Sequence, residues 1–156
     1  MITLEKAQPN EAEALTSISR RAFESDALWG APGPGGPPGY DSAEWQAKAI
    51  EFAHYFKIVF NGQIVGGVIV SPKGEGHYEL ARIFIDPAFH RQGFGRQAMR
   101  LVEEAFPDAT RWTLDTPRWN TRTPPFYQSL GYTLIGEDGG LLFFEKRLPH
   151  PEECGQ

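Results

Sequence analysis

Cysteine is almost absent from this chain: Cys154 is the only one in 156 residues. No internal disulfide can form, and a reducing cytoplasm is the expected home. No apolar run approaches membrane-spanning length. The opening M-I-T-L-E-K lacks the charged and apolar regions of a signal peptide. Positive charge is scarce too, with 15 Lys and Arg against 20 Asp and Glu. That balance argues against nucleic-acid and membrane partners, although a local basic cluster can still hold an anion. What remains is ordinary globular composition at the length of one domain. The expectation is a single domain over residues 1–148 and a frayed tail over 149–156. It would be a soluble monomer or small oligomer, a homodimer included. No internal repeat is visible.

Ile2 to Ala7 alternates as a first strand. Asn10 reads as a helix N-cap with Glu13 completing a capping box, and Leu15, Ile18, Ala22 and Phe23 form an apolar stripe. From Asp26 to Tyr40 the chain is rich in glycine and proline, which hold neither helix nor sheet. A mobile connector is the plain reading; a lid over a substrate site is the sharper one. Ser42 caps a second helix through Trp45, Ala49 and Phe52. Strands at Tyr55 to Phe60 and Gln63 to Ser71 flank Asn61-Gly62, a strong hairpin signal. His77 to Asp86 is a further strand. A helix opening at Gly93 carries Phe94, Ala98, Leu101, Val102 and Ala105 on one face. Arg111 to Asp115 is a short strand, and a helix around Phe126 to Leu130 ends at Gly131. Tyr132 to Glu137 and Leu141 to Arg147 close the chain as a hairpin. The order β-α-α-β-β-β-α-β-α-β-β puts an antiparallel meander before one β-α-β crossover, so the sheet should be mixed.

The richest stretch is Glu79 to Arg96, E-L-A-R-I-F-I-D-P-A-F-H-R-Q-G-F-G-R. A strand ends at Asp86-Pro87, and two glycines one residue apart open an amphipathic helix. Unpaired amides at a helix start point outward, and the helix dipole adds roughly half a positive charge there. Glycine allows close approach to those amides, so a pyrophosphate would meet oriented donors flanked by Arg91, Arg96 and His90. Gly93-Phe94-Gly95-Arg96-Gln97-Ala98 also satisfies the dinucleotide pattern G-x-G-x-x-A, with Asp115 near the distance of a ribose-binding acid. Against that reading, six residues separate the strand end from Gly93. The motif also follows an antiparallel meander, and too little chain remains for a second mononucleotide half.

These residues resemble the Gcn5-related N-acetyltransferase (GNAT) superfamily. Its pyrophosphate signature reads here His90-Arg91-Gln92-Gly93-Phe94-Gly95, with His where the family carries Gln or Arg. A second segment appears as Asn120, Thr123, Phe126-Tyr127 and Gly131-Tyr132. The resemblance spans roughly Ile64 to Arg147, and the N-terminal third fits in element order only. It implies an α/β (α+β) fold: a mixed, mostly antiparallel sheet of six to seven strands, about four helices, and a splayed central parallel pair. It also implies acetyl-coenzyme A as co-substrate, no metal, and a small-molecule or peptide amine as acceptor.

An amine with a pKa of about 10.4 is neutral in roughly one molecule per 10³ at pH 7, so a carboxylate that collects its proton is useful. By the resemblance, Glu79 stands where some members carry the general base, and Asp115 where others do. Either is otherwise a solvated strand-end acid. Tyr127 holds the position of the general acid; the bland alternative is a core tyrosine. The resemblance gives Ile83, Phe84 and Ile85 backbone contacts to the pantetheine arm and thioester. It gives His90, Arg91, Gln92, Gly93, Phe94, Gly95 and Arg96 the pyrophosphate, and Asn120 and Tyr127 further coenzyme contacts. Pro124-Pro125 predicts a late, short helix. Trp29, Tyr40, Trp45 and Trp119 are candidates for an acceptor pocket or plain packing. A catalytically silent acyl-coenzyme A sensor or interaction module is the alternative to an enzyme.

Overall fold

The computed structural model describes residues 1–26, 30–33 and 35–149; Trp29 and the tail from His150 lie outside them. Seven strands form one sheet in the order β1-β2-β3-β4-β5-β7-β6. The strands are β1 Thr3–Lys6, β2 His54–Phe60, β3 Gln63–Gly74, β4 His77–Ile85, β5 Arg111–Pro117, β6 Thr133–Asp138 and β7 Leu141–Arg147. Four helices flank it: α1 Ala12–Glu24, α2 Ala43–Phe52, α3 Phe94–Ala105 and α4 Thr123–Ser129. Element order and the mixed sheet are as the sequence predicts. Asn61 and Gly62 both take positive φ, 51° and 76°, as a two-residue turn matched to strand twist requires.

Every neighbouring pair is antiparallel except β4 and β5. That parallel ladder is short, from His77↔Arg111 to Glu79↔Thr113. Beyond Glu79 the β4 edge facing β5 has no ladder partner, so the two strands part there. β3 stays paired to β4 along its length, with a register shift that leaves Ala81 as the extra residue. The bulge changes which way β4 faces. Leu80 packs with Val68, Val70, Trp112 and Leu114 under α3, whereas Phe84 packs with Leu15, Ile18 and Ile69 under α1. In a regular strand, residues 80 and 84 would share a face.

Two apolar layers result, one on each side of the sheet. Phe94, Ala98, Met99 and Val102 are the buried face of α3; Met99 joins the residues the pattern selects, and Ala105 is exposed rather than buried. α1 also starts differently from expectation. Pro9 to Glu11 forms a 3₁₀ turn, and the Gln8 amide donates to the Glu11 carboxylate at 2.8 Å. Proline lacks an N–H and suits a first turn, so the cap moves ahead of Pro9, away from Asn10 and Glu13. The same rule draws Pro124 and Pro125 into the first turn of α4, which therefore begins at Thr123, earlier than expected. Ser42 caps α2 as expected, accepting from the Trp45 amide at 3.1 Å.

Candidate functional site

The turn after β4 is built around Asp86. Its carboxylate accepts from the Ala88 amide at 3.1 Å and from Arg21 of α1 at 2.7 Å. Burial alone would raise this carboxyl's pKa, but those bonds and the Arg21 charge hold it below the usual range. His90 turns back, its Nε2 2.8 Å from the Ile85 carbonyl oxygen, so the unusual signature residue braces the strand end. Arg91 and Gly93 then take φ of 66° and 76°. Gly93 is the α3 N-cap, and the Gln97 amide is bonded to its carbonyl at 3.1 Å. The amides of Phe94, Gly95 and Arg96 precede that first helical bond and face outward. A Cβ built on Gly93 meets nothing within 4 Å, so the turn that leads to those amides is open on that side.

That opening continues as a cleft of about 470 Å³. Ile83, Phe84 and Ile85 form one wall, the Arg91, Gly93 to Arg96 turn forms one end, and Phe126 and Tyr127 of α4 form the other wall. Gln92 and Asn120 are not among its lining residues. Asn120 is buried at 2% exposure and closes a turn just ahead of α4, its Oδ1 accepting from the Arg122 amide at 3.0 Å. Thr116 and Thr123 join the end of β5 to the start of α4, hydroxyl to hydroxyl, at 2.7 Å. Tyr127 is thereby fixed in the cleft, edge-on to Tyr132 and tilted against Phe144. Burial pushes its phenol up to about 12; the Arg122 charge opposes this, while the charges of Asp115 and Asp26 add to it.

Glu79 and Asp115 are brought together, but in a second cavity of about 450 Å³ shared with Glu137 and Asp138. Desolvation and the Glu79 charge raise the Asp115 carboxyl above its ordinary pKa, against the pull of Arg82. Lys73 approaches Glu79 at 3.5 Å. Arg82 stacks on the Trp45 ring of α2, 4.1 Å from its centroid. Trp45 therefore serves this packing column, and Tyr40 donates to Glu24 at 3.0 Å while its ring meets Phe23 edge-on. Neither lines either cavity, and neither does Trp119.

Two charged residues in the first cleft carry no sequence signal. Asp26, at the end of α1, is 8% exposed and ion-paired to Arg122 at 3.3 Å. The partners are 96 residues apart in the chain, so only the fold reveals the pair. Arg122 lies inside the second signature segment, at a position the signature leaves open.

Residues 13–132 match the model of the Acetyltransferase (GNAT) family. The uncharacterized protein YrkN of Bacillus subtilis strain 168 is 32% identical over 73 residues, which is 46% of this chain and 40% of that protein. The chain thus aligns with well under two thirds of that relative's length. Among solved structures, the PaiA N-acetyltransferase of Thermoplasma acidophilum, in complex with coenzyme A, superposes with a TM-score of 0.81 at 16% identity, covering 95% of this chain and 99% of that one. The ribosomal-protein-S18-alanine N-acetyltransferase of Escherichia coli gives 0.73 at 19% identity, covering 94% of each chain. At these identities the structural likeness speaks for the fold. Among the described residues, no helix is long and apolar enough to cross a membrane.

Proposed function

As the chain belongs to the GNAT acetyltransferase family, we propose that it is a cytoplasmic enzyme moving an acetyl group from acetyl-coenzyme A to an amine by direct attack. The observation that carries this reading is the 470 Å³ cleft. It joins outward amides at the α3 start, the unladdered edge of β4, and Tyr127. The Phe94 to Arg96 amides, with Arg91 and Arg96, hold the pyrophosphate. The free β4 edge at Ile83 to Ile85 pairs with the pantetheine arm and fixes the thioester oxygen against a backbone amide.

The Glu79–Asp115 pair receives the acceptor's proton. Asp115, whose carboxyl is raised, is the member that carries it, and the Glu79 charge keeps that site basic. The four carboxylates of the second cavity favour a cationic amine. Tyr127 protonates the leaving sulfur. A phenol near 12 against a thiol near 8.5 makes unaided transfer uphill by about 5 kcal/mol. Tyr127 therefore works as a relay, taking the proton of the acetylated ammonium as it gives its own. The measured test is release of free thiol from acetyl-coenzyme A with a panel of amines: a diamine, a lysine amide and an alanyl peptide. Amine-dependent release supports transfer, whereas binding without release supports the sensor alternative.

A further inference from the structure

The Asp26–Arg122 pair crosses the donor cleft, and neither member has a part in the transfer as outlined above. Asp26 is the only carboxylate lining that cleft among the described residues. It comes from the end of α1, lines the same cleft as Tyr127, and is nearly enclosed at 8% exposure. Arg122, from the start of α4, keeps 42% of its side chain exposed. Their contact is a single Nη2 to Oδ1 bond at 3.3 Å, long and not bidentate, and hence weak for its kind. Arg122 also shares the cleft with Arg91 and Arg96, so a bound pyrophosphate would compete for it as a third guanidinium. Among the described residues no other side chain is ion-paired to Asp26, and His90, whose charge also reaches it, turns its Nε2 to the Ile85 carbonyl. A carboxylate left enclosed without its cation is costly, and it takes another cation if one is offered.

We propose that Asp26 is a further substrate-contacting residue, a carboxylate freed from Arg122 by the incoming coenzyme to hold the acceptor's ammonium beside Tyr127. The inference rests on the acetyl-transfer reading. It makes acceptor binding conditional on the donor, and it separates two acidic tasks. Asp26 binds the charged amine, while the Glu79–Asp115 pair removes its proton. No bond is made or broken at Asp26; the proton that the amine sheds before attack passes to the Glu79–Asp115 pair.

Steady-state kinetics with the best amine of the panel, on wild type, Asp26→Asn and Asp26→Glu, test this. Asp26→Asn should raise the acceptor KM by 10- to 100-fold with kcat changed less than threefold. The coenzyme Kd should hold or fall, because Arg122 is released, and the pH profile of kcat should keep its lower limb. Asp26→Glu should recover part of the lost KM. Arg122→Gln supplies the second arm: the gain in acceptor affinity on adding coenzyme A, read by titration calorimetry, should shrink at least fivefold. An unchanged acceptor KM in folded Asp26→Asn, or a coenzyme Kd that weakens in step with it, overturns the proposal while leaving acetyl transfer standing. Wild type that neither binds acetyl-coenzyme A nor releases thiol overturns both.

Discussion

The two cavities that draw on β4 are built in opposite ways. The first cleft presents mainly backbone: outward amides at the α3 start, a left-handed Gly93 and an unladdered strand edge. The second cavity presents side chains collected from β4, β5 and the β6–β7 hairpin. Backbone recognition demands particular residues at fixed spacing, because only some sequences place amides that way. Side-chain recognition demands only that some carboxylate arrive, from anywhere in the chain. A donor shared by a family can therefore leave a motif, while an acceptor that varies leaves none.

The largest expected effect comes from breaking the backbone side. Gly93→Val forces a β-branched residue into φ of +76° and fills the open side of the turn. Acetyl-coenzyme A affinity should fall on the order of 10³-fold, since several charge-assisted hydrogen bonds are lost together. The strain costs about 1–2 kcal/mol, so circular dichroism should still report a folded protein. Undiminished ligand-induced thermal stabilisation would show that the turn does not bind the donor. A larger melting shift with NADH than with acetyl-coenzyme A would favour a dinucleotide.

Tyr127→Phe comes next. It removes one hydroxyl and leaves the ring packed edge-on to Tyr132 and tilted against Phe144. Turnover should drop by roughly 10- to 10³-fold, the loss expected for a positioned proton donor, while the melting temperature moves little. Full turnover would make Tyr127 a packing residue.

Asp115→Asn probes the side-chain cavity. Because the Asp115 carboxyl titrates above its usual range and its active form is the carboxylate, kcat/KM should climb with pH through that raised value. The Asn variant should lose this lower limb and run about 10-fold slower at neutral pH. Ionising a group with a raised folded pKa costs the fold, so the variant should be as stable as wild type at pH 7, or slightly more. Glu79→Gln should keep a limb shifted to lower pH, since the charge that helps raise Asp115 is gone. A limb lost in Glu79→Gln and kept in Asp115→Asn would reverse the roles.

The smallest effect tests the brace beneath the donor turn. Arg21→Gln removes the partner of Asp86 and should cost about 1 kcal/mol at neutral pH. Asp86 has a depressed folded pKa, so its stabilisation is present above the unfolded value of about 3.9 and lost as pH falls through the folded one. Wild type and Arg21→Gln should therefore converge in denaturant stability near pH 2. A gap that persists there would assign the effect to packing.

The turns and the α3 face were legible for a physical reason. Asn61-Gly62, Gly93 and the α3 stripe of Phe94, Ala98, Leu101 and Val102 each specify a local conformation, and local rules suffice to place them. The bulge at Ala81 was not legible, because one extra residue in a strand of mixed burial leaves no periodic trace, yet it decides that Phe84 and Leu80 face opposite layers. The pairing of Glu79 with Asp115 in one cavity could be expected from their strands, but its separation from the cleft lined by Tyr127 could not. Asp26 and Arg122 were invisible for the reason of distance alone.

The most direct test of the whole account is free-thiol release from acetyl-coenzyme A, measured with and without amine, on wild type and Gly93→Val side by side. Release should rise and saturate with amine in wild type and be lost in the variant. Release that is independent of amine, or equal in the two proteins, would contradict the account.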